Sequence, residues 1–182
     1  MLEAAIARSG TETAFLCPQL PDTPAQAWTL IREELAVDER DVVVGSSLGG
    51  FYARAIAELT GCRAVLLNPA LDAPRLLAGQ IGVQTRWHGP GSFEFQAADL
   101  ESLEHIAART LTRPERYLLI AATGDEVIDW RTMAAGLPGV QSIVIEGSDH
   151  ALSDFEHHLS TVLAFAGLGA TDGVGNTTQQ KR

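Results

Sequence analysis

Apolar residues gather in five short runs along the chain: residues 13–17 (TAFLC), 41–46 (DVVVGS), 63–68 (RAVLLN), 117–123 (YLLIAAT) and 142–147 (SIVIEG). Each is nearly continuous rather than alternating, the pattern of strands covered on both faces, as in a parallel sheet. Between the runs the period changes. Residues 23–37 (TPAQAWTLIREELAV) offer Thr23 as a cap, Pro24 at the first helical position, and Trp28, Ile31 and Leu35 at helical spacing. Residues 47–59 predict another helix with Gly61 as its stop. Residues 154–168 predict a third, placing Phe155, Leu159, Val162, Leu163 and Phe165 mostly along one face. Residues 1–10 also read as helix, with Leu2 and Ile6 on one face and Gly10 as stop. Alternating strand and helix predicts an α/β fold, a doubly wound and mainly parallel sheet.

Two stretches break the rhythm. Residues 71–113 hold Pro74, Gly79, Gly82 and HGPGS, the aromatics Trp87, Phe93 and Phe95, and then a helix-like LESLEHIAAR. A connection of that length reads as a lid-like insertion over a site. The polar, Gly-rich residues 169–182 predict a disordered tail, so a single domain is expected over residues 1–168.

Composition narrows the class of partner. With 182 residues, 46% hydrophobic and 20% charged, the chain suits one globular core. The net charge of −10 leaves no basic stripe to neutralise phosphates, which argues against nucleic acid and anionic membrane as partners. Two cysteines, Cys17 and Cys62, make no disulfide framework and are expected as buried free thiols. No run approaches the ~18 apolar residues needed to span a bilayer, and the first residues lack a signal-peptide core, so a cytoplasmic location is expected.

The run at residues 42–53 (VVVGSSLGGFYA) carries the candidate chemistry. Gly45-Ser46-Ser47-Leu48-Gly49 fits G-x-S-x-G, after an apolar strand and before a helix, where a nucleophile elbow belongs. So sharp a turn leaves no room for side chains two residues before and after the serine, which would account for Gly45 and Gly49. Ser47 is the candidate nucleophile and the Leu48 amide the candidate oxyanion donor; Ser46 reads as a small loop residue. A serine needs a base and the base an orienting acid, and in this architecture they follow in the order acid, then histidine, each past a later strand. Asp125 lies just past residues 117–123 and His150 just past residues 142–147. Glu126 is the spare carboxylate, Asp129 suits a helix N-cap, and Asp149 suits turn hydrogen bonding. No metal-ligand spacing links the five histidines, and neither metal nor cofactor is implied.

Taken together, CPQLPDTP, VVVGSSLGGFYA, AVLLNPAL, ATGDEVIDWR and IVIEGSDHALSDFE resemble, in order and wording, the YqiA-type bacterial esterases of the α/β-hydrolase superfamily. The resemblance runs from about Leu2 to Leu168 and is weakest in the insertion. It implies an intracellular carboxylic-ester or thioester hydrolase with Ser47 as nucleophile, Asp125 as acid, His150 as base, and a small-molecule ester or acyl thioester as substrate. Leu71, Trp87, Phe93 and Phe95 are the candidate residues for an acyl pocket.

Proteins of this kind begin with a strand ending in an HGF or QGF type loop, whereas this chain starts in the helix expected after it. The resemblance therefore implies an N-terminally truncated sheet, one oxyanion donor fewer at a cost of about 100- to 1,000-fold in rate, and unpaired backbone on the strands at residues 13–17 and 41–46. An internal start of a longer reading frame is the expected explanation; direct pairing of those two strands and a degraded copy are the others. An inert hydrolase-like protein acting as a binding module is the rival functional class. Neither oligomeric state nor natural ester can be read from these residues.

Overall fold

The computed structural model of the chain describes residues 1–10, 12–86, 90–108 and 110–168. In chain order the elements are α1 (Leu2–Arg8), α2 (Pro24–Thr29), β1 (Val42–Ser46), α3 (Leu48–Thr60), β2 (Arg63–Leu67), α4 (Ala73–Leu77) and β3 (Gly82–Thr85). There follow β4 (Ser92–Phe95), α5 (Ala97–Ile106), β5 (Tyr117–Ala122), α6 (Trp130–Gly136), β6 (Gln141–Ile145) and α7 (Leu159–Phe165). The residues 169–182 expected as a tail lie outside the described residues.

Four strands pair in parallel in the order β1-β2-β5-β6. Period-two alternation makes this sheet the centre of two cores. Ala64 and Leu66 of β2 and Tyr117, Leu119 and Ala121 of β5 face the cluster that contains Phe51, Tyr52 and Ile56 of α3. Val65, Leu67, Leu118, Ile120 and Ala122 face Ile145, Leu152 and Val162 on the other side. A strand with helices on both faces has no polar side, which is why residues 63–68 and 117–123 read as unbroken apolar runs.

Helices α1 and α7 are tied into this frame. Leu2 of α1 packs with Phe155 and Phe165 on the second cluster. Arg63, at the start of β2, donates from its guanidinium to the carbonyls of Phe165 (2.6 Å) and Ala166 (3.2 Å), satisfying acceptors left open where α7 ends. The helix expected over residues 23–37 starts at Pro24 and continues past Thr29 as a π turn through Glu34. The last helix is shorter than the spacing implied, because residues 155–158 form a 3₁₀ turn before α7.

The insertion is more regular than its composition indicates. Gly82–Thr85 and Ser92–Phe95 form an antiparallel hairpin, and α5 opens with a capping box between Gln96 and Asp99. Phe95 and Leu103 bury themselves with Ala27 and Ile31 of the α2 region, which places the insertion on the α3 side of the sheet.

Several expectations change. Residues 13–17 form no strand: pairing is a property of the neighbour, and among the described residues these pair with none, the edge strand β1 included. Leu16 is 70% exposed and Cys17 is an exposed thiol, whereas Cys62 is buried. For the same reason β1 is an edge strand covered only partly, with Val44 at 38% exposure. Since the Asp41 carbonyl and the Ser47 N–H bond to β2, the backbone groups of Val42, Val44 and Ser46 turn to the open side.

The elbow glycines also divide differently. A Cβ on Gly45 would overlap the backbone of Gly49 and Gly50, and one on Gly50 would come 2.7 Å from the Pro69 Cβ, but one on Gly49 meets nothing within 4 Å. The side of the α3 first turn that approaches its neighbours is that of Gly50, one residue further on than G-x-S-x-G indicates. Gly45→Ala should lower stability by about 1–3 kcal/mol through a clash with fixed backbone. Gly49→Ala should raise it by about 0.5–1 kcal/mol, the helix-interior gain over glycine. Urea unfolding midpoints of the two variants check this difference in sign.

Candidate functional site

Ser47 stands between the end of β1 and the start of α3 with φ 52° and ψ −120°. Such a conformation is costly for any residue with a Cβ, and the surroundings hold it there. The Ser47 N–H donates to the Leu67 carbonyl (2.9 Å), and the Ser47 carbonyl accepts from Gly50 (2.9 Å) and Ala70 (3.0 Å). The turn is thus pinned to the end of β2 from both sides of the residue, which lifts the hydroxyl above the carboxyl ends of the strands. Leu48 is the first residue of α3, so its N–H has no acceptor within the helix and forms part of the positive end of the helix dipole.

His150 lies three strands away in the sheet order, after β6, yet its ring reaches the serine. Nε2 is 2.9 Å from Ser47 Oγ, and Nδ1 is 2.8 Å from Asp125 Oδ2. The Asp125 side chain is fully buried and that of His150 is 20% exposed. The other carboxylate oxygen of Asp125 accepts the N–H groups of Val127 and Ile128, both at 2.8 Å, so the acid cannot rotate away from the ring. Glu126, the spare carboxylate, accepts the His150 backbone N–H (3.0 Å). It holds the loop while Asp125 holds the ring.

The acid and histidine loops are laid backbone to backbone. Thr123 N–H donates to Ile145 and Gly124 N–H to Gly147, while Gly147 N–H donates to Thr123 Oγ1. A Cβ on Gly124 would overlap the Ser148 carbonyl, so no side chain fits at that crossing. Asp149 is engaged by the next turn, accepting the N–H (2.9 Å) and the hydroxyl (2.6 Å) of Ser153. Those hydrogen bonds, led by the hydroxyl, hold its carboxyl below the usual range. Asp129 caps α6 through the Arg131 N–H.

Of the residues expected for an acyl pocket, Leu71, Phe93 and Phe95 share the cluster on the α3 side of the sheet. Leu71 is half-buried directly after Ala70, whose N–H grips the Ser47 carbonyl. Phe95 is buried in the core, and Phe93 is partly buried against the same cluster. Trp87 lies outside the described residues.

One polar residue at the site escaped the sequence reading. Asn68, at the end of β2, is fully buried with φ 40°, and its side chain joins Ala122 to the backbone of Asp149 and His150. Its signal was available: an amide closing an apolar run before a proline, which burial obliges to find partners.

Known proteins match this architecture and chain. An esterase domain from a Rhodothermus marinus protein superposes with a TM-score of 0.57 at 17% identity, covering 91% of this chain and 79% of that one. The mouse α/β hydrolase domain-containing protein 10 does so at 0.51 and 17%, covering 80% and 70%. These likenesses, with the parallel sheet and its flanking helices, establish the α/β-hydrolase fold. A UPF0227 protein of Yersinia pseudotuberculosis is 29% identical over 133 residues, 72% of this chain and 68% of that protein. The model of the uncharacterised protein family UPF0227 matches residues 1–167, and the chain belongs to that family.

Proposed function

We propose that the chain is a serine hydrolase that cleaves carboxylic esters or thioesters through an acyl-enzyme. The observation that carries this reading is the unbroken line of contacts from Ser47 Oγ through His150 to Asp125, at 2.9 and 2.8 Å. With Asp125 accepting the Nδ1 proton, Nε2 is left as the basic nitrogen facing the hydroxyl.

In the proposed reaction His150 Nε2 takes the Ser47 proton as Oγ bonds to the ester carbonyl carbon. The carbonyl oxygen becomes an oxyanion held by the Leu48 N–H, and Asp125 stabilises the imidazolium. Collapse of the tetrahedral intermediate breaks the bond to the alcohol or thiol, which leaves with the proton from Nε2. Water attacks the acyl-enzyme by the same route, and the carboxylic acid departs. Leu71 is the side chain we place against the acyl group, since it follows the turn that fixes Ser47.

A fluorophosphonate probe should label the protein once, and Ser47→Ala should abolish the label; labelling that survives in Ser47→Ala would refute the reading. Asp125→Asn, with the ring held but its tautomer no longer fixed, should lower kcat on an aryl ester by up to about 10,000-fold. Across aryl esters and acyl thioesters of graded length, Leu71→Ala should shift preference toward longer acyl chains by about tenfold in kcat/KM.

A further inference from the structure

We infer that Asn68 is a positioning residue for the proposed reaction: its buried amide holds the histidine loop at the distance from which His150 meets Ser47. The inference rests on the reading of Ser47, His150 and Asp125 given above.

The sheet order creates the need. Ser47 follows β1 and His150 follows β6, with β2 and β5 between. At about 4.8 Å per strand the two strand ends stand roughly 14 Å apart. The loop after β6 must therefore run back across the ends of β5 and β2, and it needs an anchor on the way. Asn68 sits at that point. Its Oδ1 accepts the Ala122 N–H at the end of β5 (2.9 Å), and its Nδ2 donates to the carbonyls of Asp149 (3.0 Å) and His150 (3.1 Å).

This orientation of the amide is the one the neighbours permit. Reversed, it would set an NH₂ group against the Ala122 N–H and an oxygen against two carbonyls. The backbone is equally constrained. Asn68 N–H donates to Ile120 (2.9 Å), and φ 40° is a region that asparagine tolerates better than most residues. Two residues on, Ala70 grips the Ser47 carbonyl. One short turn, residues 68–70, thus holds the nucleophile with its backbone and the base with a side chain.

Asn68→Asp keeps the size, the acceptor for Ala122 and the tolerance of positive φ, but removes both donors to the loop. The rate of Ser47 labelling by a fluorophosphonate, counted per cooperatively folding molecule, should fall about 100-fold. Hydrolysis of an aryl ester should lose kcat with KM unchanged, and the low-field proton resonance of the His150–Asp125 hydrogen bond should broaden. An asparagine that only supports the fold would lower Tm and leave kcat, labelling and resonance at wild-type values, and that result overturns the inference. Should Asn68→Asp fail to fold, Asn68→Gly, which suits the positive φ and leaves room for water, is read in the same way. Absence of labelling in the wild type would defeat the hydrolase reading instead, and the resonance would then decide the role of Asn68 by itself.

Discussion

The burial of β2 and β5 on both faces is the condition on which the rest of the molecule depends. Because the side chains of Val65, Leu66, Leu118, Leu119 and Ile120 are wholly enclosed, the two strands cannot slip in register without moving each of them to the opposite face and drawing flanking polar residues such as Arg63 and Thr123 inward. The ends of these strands are therefore fixed points. Ser47 is tied to Leu67, the acid loop leaves from Ala122, and the histidine loop is gripped from Asn68 and Thr123. The geometry around the hydroxyl is thus inherited from the middle of the sheet, and loops that would otherwise be mobile add only short spans to it.

What was legible in the sequence follows the same division. Residues 63–68 and 117–123 announced their strands because fully enclosed strands need apolar residues at every position; residues 41–46 and 142–147 carry the same apolar run at the partly covered edges of the sheet, and the order Ser47, Asp125, His150 announced three side chains that the fold brings together. Belonging to UPF0227 agrees with the resemblance read from five motifs. The failures concern neighbours rather than residues. TAFLC has the composition of a strand, but composition cannot supply a partner, and the segment lies along the surface with Leu16 exposed. The hairpin of β3 and β4 went unseen because strands of four residues, half exposed, carry too little alternation to stand out from a loop.

Within the site the division is sharper still. Ser47 and His150 are marked by local surroundings, a turn after a strand in each case. Gly50 is not, since its importance comes from Pro69; Asn68 carries a local mark, an amide closing an apolar run, but its partners lie in the loop of Asp149 and His150, some 80 residues away in the chain. Glu126 is intermediate: an acid beside Asp125 invited the idea of a substitute, and the fold gives it a separate task on the backbone of His150.

The flank of β1 has a bearing on how the molecule behaves in company. Among the described residues no strand pairs with the far side of β1, where Val42, Val44 and Ser46 present a row of amides and carbonyls next to the apolar surface of Val44. Such a row is a template for any extended polypeptide. A chain that laid itself there would lengthen the sheet by one member and bring its own peptide groups alongside the serine, so crowding at this margin and access to the hydroxyl are coupled by position.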